Sequence, residues 1–299
     1  MVAPVLAQTK SHLCNLFKIN GSTYPATSIT LKDNATQLAI EDKIIANIPT
    51  QHPQDEIPIT LDGKAIYCVA GTLTADLVKE AASTGLFIIY GSINHNDRNY
   101  IRSYTNGAKS IKFINIDGEQ VTSLQQILYE SEASSVTFEN CNFSKVWTLL
   151  NAFSYMSNLT SFSFKGMGLT NKLTELRYMF FGCKKLESVD FCNCDFSSVN
   201  NLYGMFSNCS ALKSIDFSSC NLTSVSSTGN MFNSCSALES IDFSNCDFSN
   251  VTTIQYYMFA GCKALKEIKA IGCNEATIAF LKDRLNDAGL TNQVTLTVK

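Results

Sequence analysis

Apolar and polar positions between residues 179 and 273 recur with a fixed period. Met179-Phe-Phe-Gly-Cys-Lys-Lys-Leu, Met205-Phe-Ser-Asn-Cys-Ser-Ala-Leu, Met231-Phe-Asn-Ser-Cys-Ser-Ala-Leu and Met258-Phe-Ala-Gly-Cys-Lys-Ala-Leu begin 26, 26 and 27 residues apart. A repeat of that length is the mark of a solenoid, in which each unit buries its apolar face only against its neighbours. After each Leu comes a short alternating run, such as Leu238-x-x-Ile241-Asp-Phe243. Alternation predicts a strand with Ile241 and Phe243 facing inward and Ser240, Asp242 and Ser244 facing out. In the returning arm Met231, Cys235 and Leu238 stand at i, i+4 and i+7, a spacing that predicts a short helix. The phenylalanines at 113, 138, 164, 191, 217 and 243 keep the same phase, so the coils begin well before the clean copies.

The flanks read differently. Residues 1–58 lack the repeat, and the Asn20-Gly21 turn signal and the prolines Pro25, Pro53 and Pro58 suggest a small β-rich module ending in a linker. From 59 to 134 the repeat is degenerate: Ala65–Val69 and Leu86–Tyr90 read as strands around a helix at Thr74–Ser83. The clear repeats occupy 135–273, and 274–299 form a helix and strand cap. There Ile278, Leu281 and Leu285 share one helical face, Gly289 is a stop, and Val294–Val298 is a final strand.

Composition narrows the function. Net charge is −3, with 23 basic residues scattered among 26 acidic ones, which argues against a nucleic-acid partner. The apolar runs are strand-sized and none approaches a membrane span, so membrane insertion is not expected. Twelve cysteines could suggest disulfides, but nine fall in two repeat-locked columns: 183, 209, 235 and 262, then 141, 194, 220, 246 and 273. Such columns read as free buried thiols, each a small apolar group with a weak S–H donor. Only Cys192 and Cys194 have a spacing suited to zinc, so neither a metal site nor a cofactor is expected.

The run Leu-x-x-Ile-Asp-Phe-x-x-Cys-x-Phe satisfies the leucine-rich-repeat pattern, with Cys at its Asn/Cys position. The expected fold is therefore α/β: a right-handed leucine-rich-repeat solenoid of seven or eight turns. It would have a parallel concave sheet, short helices on the convex side and a small β-rich N-terminal module. The longer phrase at 231–251, Met-Phe-x-x-Cys-x-x-Leu-x-x-Ile-Asp-Phe-Ser-x-Cys-x-Phe-Ser-x-Val, resembles the BspA-like leucine-rich repeats. That resemblance implies a non-catalytic adhesion or interaction protein, at the cell surface or secreted, that takes a protein or glycan on its concave sheet. The N-terminal segment has no basic region of the signal-peptide kind. The alternative is cytoplasmic folding and use as a rigid spacer in a larger assembly such as a virion or cell-envelope layer, with residues 1–58 as a contact for an assembly partner.

If the strands stack in register, outward residues form rows. One row reads Lys112, Thr137, Ser163, Asp190, Asp216, Asp242 and Lys269; its three aspartates, with Ser188, Ser214, Ser218, Ser240 and Ser244 beside them, are the eight candidate binding residues. Three carboxylates in one row could hold a cation, a basic peptide or sugar hydroxyls. Equally, Asp can belong to the repeat itself, hydrogen-bonded to the flanking serines. The neighbouring row, Glu187, Lys213, Glu239 and Lys266, alternates in sign and reads as structural registry. The three histidines, His12, His52 and His95, lie outside the repeats, and no catalytic motif is present; the one arrangement to weigh is His95 with Cys68 or Cys192.

Overall fold

The computed structural model describes the strands of the first 92 residues, residues 101–102, and 108–299 apart from 192–193 and 252–255. Residue 58, the helix expected at 74–83, His12, His52, His95 and Cys192 lie outside the described residues, as do the side chains of Cys14 and Cys68.

The N-terminal strands are β1 (Leu13–Cys14), β2 (Lys18–Ile19), β3 (Ile29–Lys32), β4 (Gln37–Ile40), β5 (Lys43–Asn47), β6 (Ile59–Leu61), β7 (Lys64–Val69) and β8 (Leu86–Ser92). The rest are β9 (Ser110–Asp117), β10 (Ser135–Glu139), β11 (Ser161–Ser163), β12 (Ser188–Asp190), β13 (Ser214–Asp216), β14 (Ser240–Asp242), β15 (Glu267–Lys269) and β16 (Thr295–Thr297). Strands β7 to β10 pair in parallel, as do β11 with β12 and β13 through β16. The result is a parallel-strand solenoid of about seven turns with little helix. At the start, β1 pairs antiparallel with β7 and β2 parallel with β6, while β3, β4 and β5 form their own antiparallel sheet. The two arms of the expected Asn20-Gly21 hairpin therefore pair elsewhere.

Two columns of phenylalanine fill the core. Phe180, Phe206, Phe232 and Phe259 stack with centroids 5.6, 5.6 and 6.1 Å apart and planes within 12°. Behind the strands Phe191, Phe217 and Phe243 stack at 4.7 and 5.5 Å. Identical side chains arrive at one depth in every coil because the repeat length is fixed, and offset stacking adds roughly 0.5–1.5 kcal/mol per pair beyond area burial.

The returning arm corrects the expectation of convex-side helices: among the described residues it is a ladder of tight turns. The N–H groups of Leu176, Tyr178, Phe180 and Gly182 donate to the carbonyls of Asn201, Tyr203, Met205 and Ser207 in the next coil. Those of Met179, Phe181 and Cys183 turn back to residues 176, 178 and 180. Every second amide thus ties coil to coil, which no helix allows, since helical bonds run within the segment. The geometry needs left-handed backbone at two columns. One holds Gln126, Asn151, Tyr178, Gly204, Asn230 and Tyr257; the other holds Glu130, Tyr155, Gly182, Asn208, Ser234 and Gly261. Gly and Asn recur there because they tolerate that region best.

The thiols complete the inter-coil links. Cys183, Cys209, Cys235 and Cys262 sulfurs lie 3.0–3.1 Å from the carbonyl oxygens of Phe153, Phe180, Phe206 and Phe232, as S–H donors. The nine described cysteines are free thiols. At the end, helix α1 (Glu275–Asp287) begins where Asn274 caps the Thr277 amide, buries Leu281 and Leu285, and stops before Gly289 at φ 69°. Thr277 Oγ1 accepts the Phe248 amide at 2.8 Å, so the cap is stitched to the last clean repeat.

Candidate functional site

Strands β12, β13 and β14 hold six of the eight sequence-predicted residues, and Ser218 and Ser244 follow two residues after β13 and β14 end. Ser214 stands beside Ser240 and Asp216 beside Asp242 in direct parallel register. Asp190 pairs on the other side, opposite Ser163, whose hydroxyl donates to it at 3.1 Å. The sheet divides between β12 and β13, so the three aspartates do not form one unbroken hydrogen-bonded row. Ser188, Asp190, Ser214 and Asp216 are exposed, and Ser218, Ser240 and Asp242 are half-buried. Ser244 is buried, a correction to its expected outward placement. Alternation ends with the strand at Asp242, and the chain has already turned inward by residue 244.

The aspartates have a local role as well. Asp216 accepts the Ser218 amide at 2.8 Å and Asp242 the Ser244 amide at 2.9 Å, both two-residue Asx turns that end the strand. Each uses one carboxylate oxygen, Oδ1, and no ion pair among the described residues engages Asp216 or Asp242. The adjacent row is committed: Lys213 to Glu187 at 2.7 Å and Lys266 to Glu239 at 2.8 Å, as sign alternation predicted. The Lys266 hydrogen bond holds the Glu239 carboxyl below its usual range.

Sequence reading missed a second surface, on the turn arm. Tyr129, Tyr155, Phe181, Tyr178 and Tyr203 form a continuous run of edge-to-face rings with centroids 5.1–5.5 Å apart. At one end Arg177, Tyr178, Asn201, Tyr203 and Ser227 line a recess of about 270 Å³. Asn201 belongs to a column of isolated parallel bridges, Ser123, Thr148, Glu175, Asn201 and Ser227. In four of these a side-chain oxygen caps the amide two residues on, as Asn201 Oδ1 does for Tyr203 at 3.0 Å. Burial, then the neighbouring Tyr203 hydroxyl, pushes Tyr178 above the ordinary tyrosine value, so it is protonated at neutral pH.

The thiols are chemically quiet where they are described. Burial pushes Cys183, Cys220 and Cys262 up to about 12 and Cys141 to about 11, far from the thiolate a nucleophile needs. Among the described residues no group of three or more His, Cys, Asp or Glu side chains is placed to hold a metal, and no helix is long and apolar enough to cross a membrane.

No curated protein and no solved structure matches the chain. Residues 156–271, less than half of the chain, are similar to a family described as Mycoplasma protein of unknown function, DUF285.

Proposed function

We propose that the chain is a non-catalytic interaction protein of leucine-rich-repeat type whose strand face receives a basic segment of a protein partner. The observation that carries this is the contrast between two adjacent rows: Glu187 with Lys213 and Glu239 with Lys266 satisfy each other, while Asp216 and Asp242 sit side by side and neither is in an ion pair, although Lys269 is the register neighbour of Asp242 on its other side. Like charges in direct register cost stability, so a partner that neutralises them gains from contact. The thiol values support a role without covalent chemistry. The resemblance to surface-associated repeat proteins supports a location at the cell surface or outside the cell. The test is a cross-linking pull-down from the native source, with Asp190→Lys, Asp216→Lys and Asp242→Lys combined as the control. A partner captured by wild type and lost in the control supports the reading; one retained by both removes the strand face from consideration.

A second reading, a rigid spacer in a larger assembly, is favoured by the free thiols, which suit folding in a reducing compartment. Thiol counting in denatured native protein separates the two: disulfides would favour export, and a full set of free thiols would favour assembly in the cytosol.

A further inference from the structure

We infer that the aromatic run on the turn arm is a binding strip for an uncharged oligosaccharide, with one sugar ring seated in the recess lined by Arg177, Tyr178, Asn201, Tyr203 and Ser227. This goes beyond the strand-face reading and does not rest on it.

Three observations lead there. First, the rings are continuous and partly accessible, with the Arg102 guanidinium lying over the Tyr129 ring at 4.7 Å. Tyr155 is 44% exposed, and Tyr129, Phe181, Tyr178 and Tyr203 are half-buried. A pyranose presents a face of C–H groups that stacks on an aromatic face and a rim of hydroxyls that needs polar partners. Neighbouring rings stand nearly perpendicular, at 72–84°, so where one ring offers its face to a sugar its neighbours offer their edges.

Second, the recess supplies the polar partners. With its oxygen taken by the Tyr203 amide, Asn201 offers its NH₂. The Tyr203 hydroxyl, accepting from Asn230 at 2.6 Å, keeps its own proton to donate. Arg177 makes one long ion pair, 3.8 Å to Glu175, and its buried Nε has no hydrogen-bond partner. A few placed polar groups beside aromatic walls are what fix a small ligand's orientation.

Third, the charge is balanced. Each cation along the strip has a carboxylate beside it: Arg102 with Glu130 at 3.7 Å and Arg177 with Glu175. A neutral ligand fits this better than an acidic or basic peptide. The strip also occupies demanding backbone. Tyr155 and Tyr178 have φ of 60° and 55°, at columns that hold Gly and Asn but also Gln126, Glu130, Ser234 and Tyr257.

The experiment titrates the full chain by calorimetry with linear oligosaccharides of β-1,4-linked glucose, mannose and N-acetylglucosamine, and with a proline-rich decapeptide as the competing occupant of an aromatic groove. At least one saccharide should bind saturably. Tyr178→Ala and Tyr203→Ala should each weaken it about tenfold or more. Tyr178→Phe, which keeps the ring, should largely preserve binding, and the triple Asp→Lys protein should match wild type, so that failure here and failure on the strand face are separate. Melting curves identify any variant that fails to fold, and Asn201→Ala then replaces it. The inference is overturned if no saccharide of the panel binds, if binding ignores the recess variants, or if the proline-rich peptide alone binds in a Tyr178-dependent way.

Discussion

Tyr178 rests against Gly204 of the next coil: a Cβ added at Gly204 would come within 2.5 Å of Tyr178 Cε1 and 2.6 Å of its Cδ1. The same relationship places Tyr155 over Gly182, where the added atom would meet Cδ1 at 2.9 Å. Glycine thus serves twice, giving left-handed backbone at φ 61° in its own coil and room for an aromatic ring from the coil before. Gly204→Ala should cost about 2–5 kcal/mol, the sum of left-handed strain and overpacking. Gly289→Ala is the control, since Gly289 has φ 69° but nothing within 4 Å of the added atom; it should cost only about 1–2 kcal/mol. Urea unfolding of the two variants measures the difference, and equal losses would remove the ring contact from the account.

Phe206 sits between Phe180 and Phe232, each 5.6 Å away, and is fully buried. Phe206→Ala should destabilise the protein by about 3–5 kcal/mol, combining lost transfer energy with an unfilled cavity. A loss below about 1.5 kcal/mol would mean that neighbouring coils collapse into the space.

The buried thiols give the protein an alkaline limit. In the unfolded chain they ionise near 9.0, whereas in the fold Cys183, Cys220 and Cys262 hold their protons to about 12. Because the folded value is raised, the folded state binds more protons above pH 9. Stability is therefore complete below that value and is lost as pH rises towards 12, by about 1.4 kcal/mol per pH unit for each thiol inside the window. Urea midpoints at pH 7, 9 and 10 should show a fall that begins near pH 9, and Cys183→Ala should make it shallower. In the native protein at pH 7, the half-buried Cys194 and Cys273 should react with a thiol reagent before the buried column does.

The C-terminal cap depends on one hydroxyl. Thr277 is fully buried and accepts the Phe248 amide, so Thr277→Val keeps the shape and strands that donor. The expected cost is about 1–3 kcal/mol. Hydrogen exchange should quicken first in residues 258–273, the coil that the cap covers.

Much of this architecture could be read from spacing alone. The Phe217 and Phe243 stack, the Lys213–Glu187 pair and the Leu281 and Leu285 face of the cap all follow from periodicity, because a fixed repeat puts like residues in contact. The arm could not be read that way. Met231, Cys235 and Leu238 are all buried, as a helix would have them, yet their amides belong to turns. The telling signal was the Gly or Asn recurring at 204, 208, 230 and 261, which marks left-handed backbone that a helix interior lacks. The tyrosine strip had no column to betray it. Tyr129, Tyr155, Tyr178 and Tyr203 occupy different positions in successive repeats and meet only through stacking of the coils. Ser244 failed for a simpler reason, that a three-residue strand ends before the alternation reaches it.

The strand-face claim is tested most directly by replacing charge while keeping the turns. Asn at positions 190, 216 and 242 can still accept the Ser218 and Ser244 amides but carries no charge. The triple Asp→Asn protein should melt at the wild-type temperature and fail to capture the partner that wild type captures. Undiminished capture at an unchanged melting temperature would contradict the account, leaving the aspartates as turn residues and nothing more.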